Sequence, residues 1–179
     1  MKIDGNLVYL RTLEASDAEN VLDLQLRNKD FFRKYSGTRT EDFYTLDFQL
    51  NTITKSISQR EKEEKYTFGI FLKETDALIG TISLSEILRG PLQSCFIGYA
   101  LDKQHNGKGY TSEAVRLLVD FGFKELKLHR IEAGVMPHNL GSIRVLEKAG
   151  FHKEGIARKN VEIDGKWEDH QVLAIINEE

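Results

Sequence analysis

The sequence predicts an α/β (α+β) fold in which helices pack against one mixed sheet. Short β-rich runs bounded by turn residues are interspersed with amphipathic repeats of helical period. Their order reads β-α-α-β-β-β-α-β-α-β-β, and this mixing of strands with helices is typical of a mixed sheet with helical layers. A chain of 179 residues can bury a sizeable core, so we expect residues 1–179 to form a single domain.

Composition excludes several classes of protein. The net charge is −3, so there is no general basic footprint for nucleic acid. No apolar run approaches the roughly 20 residues of a membrane span, and the N-terminus lacks the apolar core of a signal peptide. The single cysteine, Cys95, rules out an internal disulfide and suits a reducing compartment. We expect a cytoplasmic protein with no direct nucleic-acid or membrane partner.

The N-terminal part begins with a predicted strand at residues 7–11. Ser16 and Glu19 have the spacing of a capping box, which predicts a helix that ends near Asn28. Residues 30–42 have a poor pattern and contain aromatic side chains among charges. They form either a loop or short helix packed on the core, or a wall on the substrate side. The aromatic residues are Phe31, Phe32 and Tyr35.

A second helix is predicted by apolar residues that recur every three or four positions, and a solvated mixed-charge run, residues 59–65, follows it. The apolar positions are Phe43, Leu46, Leu50, Ile53 and Ile57. Three β-rich runs come next, at residues 66–72, 78–84 and 96–101. Because short loops separate them, we expect an antiparallel meander. The Gly90-Pro91 pair marks the second of its turns.

The C-terminal half alternates strands and helices. Residues 111–126 predict an amphipathic helix and residues 130–136 a strand. Asn139 is a good N-cap for the next helix, which Gly150 ends. Asp164-Gly165 is a favoured type I′ pair, which predicts a hairpin between the last two strands.

A glycine turn joins the meander to the helix after it, in the sequence Gln104-His105-Asn106-Gly107-Lys108-Gly109-Tyr110. The N–H groups of a helix N-terminus attract anions, and glycine allows close approach of a ligand. The turn is therefore either a phosphate site or a purely structural turn. It is not a Walker A loop, because Tyr110 follows Gly109 where that motif has Lys-Ser/Thr. The dinucleotide fingerprint needs three glycines after a first strand.

Metal and nucleophile signals are weak. The five histidines show no metal-ligand spacing, so we expect each to be a surface or packing residue and expect no metal. They are His105, His129, His138, His152 and His170. Cys95 lies in an apolar strand and suits a small core residue better than an activated thiol.

Three stretches together resemble the GNAT acetyltransferase superfamily, and most of all its ribosomal-protein N-terminal acetyltransferases. The first runs from Ile97 through the glycine turn to Ala114 and resembles the acetyl-CoA motif Q/R-x-x-G-x-G/A. The second runs from Arg130 through Asn139-x-x-Ser142 to Phe151. The third is the opening strand and helix start, Leu10 to Asp17. The resemblance covers nearly the whole chain.

This resemblance implies a twisted, splayed sheet of about seven strands. The strands near Tyr99 and Val135 would part, and acetyl-CoA would lie between them with no metal required. Its pyrophosphate would meet the N–H groups of residues 104–109. The resemblance implies these residues at the acetyl-CoA site: Ala100, Leu101, Gln104, His105, Asn106, Gly107, Lys108, Gly109, Tyr110, Thr111, Asn139 and Ser142.

The implied reaction is direct attack of an amine on the thioester. A backbone N–H near Ala100 or Leu101 would stabilise the developing oxyanion. Many members have a catalytic tyrosine where this chain has Leu146. The resembled branch places the serine of Asn-x-x-Ser near the sulfur, so Ser142 is the candidate acid or thiol-positioning group, or only a residue of the helix's first turn.

The candidate base is less defined. Glu86 follows a strand on the expected substrate side. It is either a base, which acts directly or through a water, or an exposed carboxylate at the end of a strand. Tyr99 either holds a water or packs in the core. Glu168 or Asp169 could attract a cationic amine, or belong to a solvated hairpin. An α-amino group has a pKa near 8, so an N-terminal substrate needs only a weak base.

Three functions follow from this resemblance. The first is acetylation of a protein N-terminus, as in ribosomal-protein acetyltransferases. The second is acetylation of a small amine such as a polyamine, an amino acid or an antibiotic. The third is a non-catalytic acyl-CoA-binding domain, because Leu146 replaces the usual tyrosine. Homodimers formed through edge strands are common in the superfamily.

Overall fold

Eight strands form one mixed, open sheet in the computed structural model, which describes all residues 1–179. The strands are β1 (Lys2–Asp4), β2 (Val8–Thr12), β3 (Lys65–Leu72), β4 (Leu78–Leu88), β5 (Ser94–Leu101), β6 (Arg130–Val135), β7 (His152–Ile163) and β8 (Lys166–Ile176). Their order across the sheet is β1-β2-β3-β4-β5-β6-β8-β7. Only β5 and β6 are parallel neighbours.

Helices cover both faces of this sheet. They are α1 (Ala18–Arg27), α2 (Lys29–Ser36), α3 (Leu46–Glu61), α4 (Tyr110–Lys124) and α5 (Leu140–Lys148). Alternation along β2 shows the two layers, because Val8 and Leu10 pack into the large cluster under α4 and α5, whereas Tyr9 packs into a smaller cluster under α1 and α3. None of the helices is long and apolar enough to cross a bilayer.

Most predicted elements are confirmed. Strands β3, β4 and β5 form the predicted antiparallel meander. The Asn139 side chain caps α5 by accepting a hydrogen bond from the Ser142 N–H, and Gly150 follows that helix with a φ of 101°. Asp164 and Gly165 both have positive φ, as a type I′ turn requires.

The N-terminal region differs from the prediction in two ways. A short strand, β1, adds an eighth member to the sheet. Ser16 does not cap α1, because it lies inside a 3₁₀ turn (Ala15–Asp17). Asp17 instead accepts a hydrogen bond from the Glu14 N–H at 2.7 Å and from the Arg11 guanidinium. Residues 29–36 form α2, and a short helix is one of the alternatives predicted for residues 30–42.

The sheet is splayed between β5 and β6, as predicted. The two strands pair only from Ser94 to Phe96 and from Arg130 to Glu132. Beyond these residues β5 stays paired with β4 as far as Leu101, and β6 stays paired with β8 as far as Val135. Because the paired ends are the N-terminal ends, a gap opens where both strands terminate.

Candidate active site

The gap between β5 and β6 is the mouth of a large cleft of about 780 Å³. Its walls are the ends of β5 and β6, the start of α4 and the inner face of α5. Aromatic residues of α2 border it as well. The lining contains Arg144 and Lys148 but no aspartate or glutamate. The cleft therefore suits an anionic ligand and offers no carboxylate partner to a polycation.

Unpaired backbone groups of β5 face this cleft. The Asp102 N–H donates to the Ile79 carbonyl oxygen at 2.7 Å, so residues 102, 100 and 98 direct their backbone groups towards β4. Backbone direction alternates along a strand, so Leu101 and Tyr99 direct theirs into the gap. Ala100 lines the cleft, but its N–H is used by the pairing with Thr81. This register corrects the prediction that Ala100 could stabilise an oxyanion and leaves Leu101 for that role.

The glycine turn presents a row of free N–H groups at the base of the cleft. The N–H groups from Gly107 to Ser112 have no hydrogen-bond partner within the protein. Gly107 and Gly109 have φ of 77° and 82°, and a Cβ on either would meet no heavy atom within 4 Å. Helix α4 begins directly after Gly109, so the positive end of its dipole adds to these donors. The arrangement is an anion site.

Three positions of this turn differ from the prediction. The N–H groups of Gln104, His105 and Asn106 are already bonded, to the Asp102 side chain, the Asp102 carbonyl and the Lys103 carbonyl. Gln104 and Lys108 are exposed and lie outside the cleft lining. The available donors are therefore displaced towards α4, because the first half of the turn is a 3₁₀ turn with its own hydrogen bonds.

Buried polar contacts fix the turn to the helices beside it. Asp102, only 3% exposed, accepts a hydrogen bond from Arg27 at 2.7 Å. Asn28, at the junction of α1 and α2, accepts from the Lys103 N–H at 2.9 Å through its side-chain oxygen. Its side-chain nitrogen donates to the Leu24 carbonyl at 3.0 Å. The anion site and the α1–α2 junction are thus one rigid unit.

Tyr99 and Ser142 meet across the cleft. The Tyr99 hydroxyl lies 2.6 Å from the Ser142 Oγ and 3.3 Å from the Ser142 carbonyl oxygen. Burial raises the pKa of Tyr99 to about 12, although the hydrogen bond with Ser142 opposes this shift. Tyr99 is therefore protonated at neutral pH. The Asn139 side chain holds the first turn of α5, which carries Ser142, through the Ser142 N–H. Leu146, one turn further, is fully buried.

Aromatic residues of α2 line the outer end of the cleft, in line with the alternative that residues 30–42 form a wall. Phe31, Phe32 and Tyr35 are all part of the lining, and the Tyr35 ring packs at a tilt against the His138 ring, with the ring centroids 5.8 Å apart. The loop after α2 is tied to the tip of the β7–β8 hairpin, because the Thr38 N–H donates to Asp164 at 2.7 Å. This contact attaches the α2 wall to the β7–β8 hairpin.

His170 is a buried histidine, for which the sequence predicts only a surface or packing role. The residue is 7% exposed and lines the cleft from β8. Its Nδ1 lies 2.9 Å from the Asn160 side-chain oxygen and 3.3 Å from the Glu168 carbonyl oxygen. His105 and His138 also line the cleft. The resemblance already places His105 at the acetyl-CoA site, whereas a histidine that faces a cleft has no spacing signal in one sequence, so only the tertiary structure reveals His138 and His170.

The carboxylates proposed from the sequence lie elsewhere. Glu86 is exposed and lies in a bulge of β4 with a φ of 51°, beside the end where β5 and β6 are still paired. It is not part of the cleft lining. Glu168 pairs with Lys166, and Asp169 accepts from the Lys159 N–H at 2.8 Å. Neither lines the cleft, so Glu86 lies away from it as a base, and Glu168 and Asp169 lie away from it as groups that would attract a cationic amine.

Cys95 lies in the core, outside the cleft. Burial raises the pKa of Cys95 to about 12, so the thiol is a core residue without nucleophilic character. No group of three or more His, Cys, Asp or Glu side chains is arranged to hold a metal ion.

Comparison with known proteins identifies the family. The family model of the acetyltransferase (GNAT) domain matches residues 8–152. The chain belongs to the GNAT acetyltransferase family. It is 63% identical over 175 residues to the probable N-acetyltransferase YjcK of Bacillus subtilis (strain 168), with 98% of this chain and 97% of that protein covered.

Two solved structures show the same GNAT fold. The ribosomal-protein-S5-alanine acetyltransferase of Vibrio fischeri superposes with a TM-score of 0.93 at 31% identity, over 100% of this chain and 98% of its own. RimJ of Mycobacterium smegmatis, in complex with CoA-disulfide, superposes with a TM-score of 0.92 at 26% identity, over 99% of this chain and 88% of its own. The predicted GNAT-type fold and acetyltransferase class are thus confirmed.

Proposed function

We propose that this GNAT enzyme transfers the acetyl group of acetyl-CoA to the α-amino group of a protein N-terminus. The observation that carries this acceptor is the absence of aspartate and glutamate from the cleft lining. A polyamine or an aminoglycoside carries several cations, and burying them here without a carboxylate partner is unfavourable. A peptide N-terminus brings one amine and an otherwise neutral backbone.

The donor side has groups that match the parts of acetyl-CoA. The six N–H groups of Gly107–Ser112 suit the pyrophosphate, and Arg144 and Lys148 supply positive charge on the same cleft. The unpaired backbone of Tyr99 and Leu101 suits the amide groups of the pantetheine arm. The Leu101 N–H is also the donor that we assign to the carbonyl oxygen of the thioester as it gains charge.

Ser142 and Tyr99 form the proposed proton-donating side. When Tyr99 donates its hydrogen to the Ser142 Oγ, 2.6 Å away, the serine hydroxyl hydrogen is left free to point at the sulfur. The raised pKa of Tyr99 keeps this donor in place across the neutral range. Such a pair replaces the tyrosine that many GNAT enzymes carry at the position of Leu146.

The relatives support a peptide acceptor. The Vibrio fischeri protein, similar over its whole length, is described as acting on alanine of ribosomal protein S5. The Bacillus subtilis relative is described only as a probable N-acetyltransferase. A ribosomal-protein N-terminus is therefore the first acceptor to test.

The test compares acceptors by release of free CoA thiol. One panel holds peptides that begin with Ala, Ser or Met, each paired with the same peptide blocked at its α-amino group. A second panel holds spermidine, an aminoglycoside and free amino acids. We expect release only with unblocked peptides. Turnover confined to the second panel would contradict the proposed acceptor, and CoA binding without turnover in either would contradict catalysis.

A further inference from the structure

We propose that His170 Nε2 is the general base that removes a proton from the attacking amine. This inference rests on the proposed acetyl transfer to an amine and adds a residue to it. His170 lies on β8, at the wall formed by β6 and β8, whereas Tyr99 lies on the wall formed by β5. The two walls separate at the gap, so a proton acceptor and a proton donor face the same space from opposite sides.

Hydrogen bonds determine which nitrogen of His170 can accept a proton. The Glu168 carbonyl oxygen, 3.3 Å from Nδ1, can only accept, and the Asn160 side-chain oxygen at 2.9 Å is a second acceptor. Nδ1 therefore carries the hydrogen of the neutral ring, and Nε2 carries the lone pair. In nucleophilic catalysis, a histidine base is oriented in the same way, by a hydrogen-bond acceptor at its other ring nitrogen.

The lone pair of Nε2 is available to a ligand. Nε2 has no hydrogen-bond partner in the protein, and no side-chain nitrogen or oxygen is both sealed from solvent and unpartnered. Nε2 therefore reaches accessible space, although the residue as a whole is 7% exposed. Gly134 lies beside the ring, and a Cβ added to it would lie 3.9 Å from the ring Cδ2. Because glycine has no side chain, nothing at that position covers the imidazole.

A bulge in β7 places Asn160 beside Nδ1 of His170. The register of β7 against β8 shifts between Ala157 and Val161, and Lys159 has a φ of 47°. The Lys159 N–H donates to Asp169 at 2.8 Å, which holds the bulge against β8. Asn160 follows directly and reaches the His170 ring. Asn160 is therefore a positioning residue, and its role is to keep Nδ1 protonated and the ring facing the cleft.

The step balances in atoms and charge. The neutral amine nitrogen forms a bond to the acetyl carbon while the carbon–sulfur bond breaks. One proton passes from that nitrogen to His170 Nε2, and one proton reaches the sulfur from the Ser142–Tyr99 side. His170 then releases its proton to solvent and the hydroxyl pair regains one. The products are the acetylated amine and CoA thiol.

The decisive experiment measures kcat and CoA affinity for His170→Gln, with His129→Gln as the matched control on an exposed histidine outside the cleft. We expect kcat of H170Q to fall roughly 10²- to 10⁴-fold, the usual contribution of a general base. We expect its Kd for CoA, from titration calorimetry, and kcat of H129Q to stay within about twofold of wild type. Imidazole added to His170→Gly should restore kcat in proportion to its concentration.

Retention of wild-type kcat by H170Q would overturn the assignment, as would a Kd for CoA that rises as much as kcat falls. Asn160→Leu should lose kcat at unchanged KM, whereas Asn160→Asp keeps an acceptor for Nδ1 and should retain more of the wild-type kcat than Asn160→Leu does. If wild type acetylates only small amines, the peptide acceptor is wrong and the same variants are measured with that amine. No turnover by wild type with any acceptor would overturn both proposals.

Discussion

Replacing Gly109 by Asp tests the anion site directly. An aspartate at this position puts a carboxylate into the open space beside the free N–H groups of residues 107–112. With the carboxylate about 5 Å from a phosphate oxygen and an effective dielectric of about 20, the repulsion is about 3 kcal/mol. We therefore expect the Kd for CoA, measured by titration calorimetry, to rise on the order of 10²-fold.

Gly90 provides a matched control for this substitution. It has a φ of 65° and, like Gly109 at 82°, no heavy atom within 4 Å of an added Cβ, but it lies in the β4–β5 turn outside the cleft. Gly90→Asp and Gly109→Asp thus add the same charge and a similar left-handed strain, a cost of about 1 kcal/mol, or a few degrees in Tm. Wild-type CoA affinity in folded G109D, or an equal loss in G90D, would refute the reasoning.

Three other substitutions test separate parts of the structure. Tyr99→Phe removes the hydrogen bond to Ser142, so we expect kcat to fall about tenfold with CoA affinity unchanged; loss of affinity instead would show a packing role. Asp102→Ala leaves the N–H of Gln104 without a partner and the Arg27 guanidinium with Asp23 alone, which should lower the free energy of unfolding by about 2 kcal/mol and weaken CoA binding; denaturation and calorimetry measure both. Burial alone would raise the pKa of Asp17, but hydrogen bonds from Arg11 and the Glu14 N–H lower it overall. The stabilisation is therefore present above the ordinary carboxyl pKa of about 3.9 and lost as pH falls through the lowered value. Asp17→Asn should be less stable than wild type at pH 7, and the difference should vanish in strong acid; a difference independent of pH would refute the ion-pair account.

Much of the fold could be predicted because local signals determine it. The Asn139 cap, Gly150 and the Asp164-Gly165 turn each need one backbone conformation that few residues adopt, so they mark element ends in the sequence itself. Ser16 was misleading because Asp17, next to it, gains a bidentate partner in Arg11, and that partner comes from another element.

The site was less predictable, because its groups are selected by pairing across the sheet. Whether Ala100 or Leu101 has a free N–H depends on the register of β5 against β4, which no local pattern specifies. Glu86 appeared suitable because it follows an apolar strand, but the bulge at that point turns it to solvent. His170 gains its potential role only from Asn160, ten positions earlier, through the β7 bulge.

Asn28 attaches one end of α2 to the glycine turn and leaves the other end of α2 free of that attachment. Asn28 lies at the junction of α1 and α2, and its side-chain amide bonds the Leu24 carbonyl and the Lys103 N–H, so the α2 wall of the cleft and the glycine turn are attached at the same point. Residues at the far end of α2 contact the hairpin tip through Thr38 and Asp164 and the loop before α5 through Tyr35 and His138. Substitutions at that far end can therefore accommodate a different acceptor, while the glycine turn that we assign to the acetyl donor keeps its contacts. Engineering of acceptor choice should begin at residues 31–38 and leave Asn28 in place.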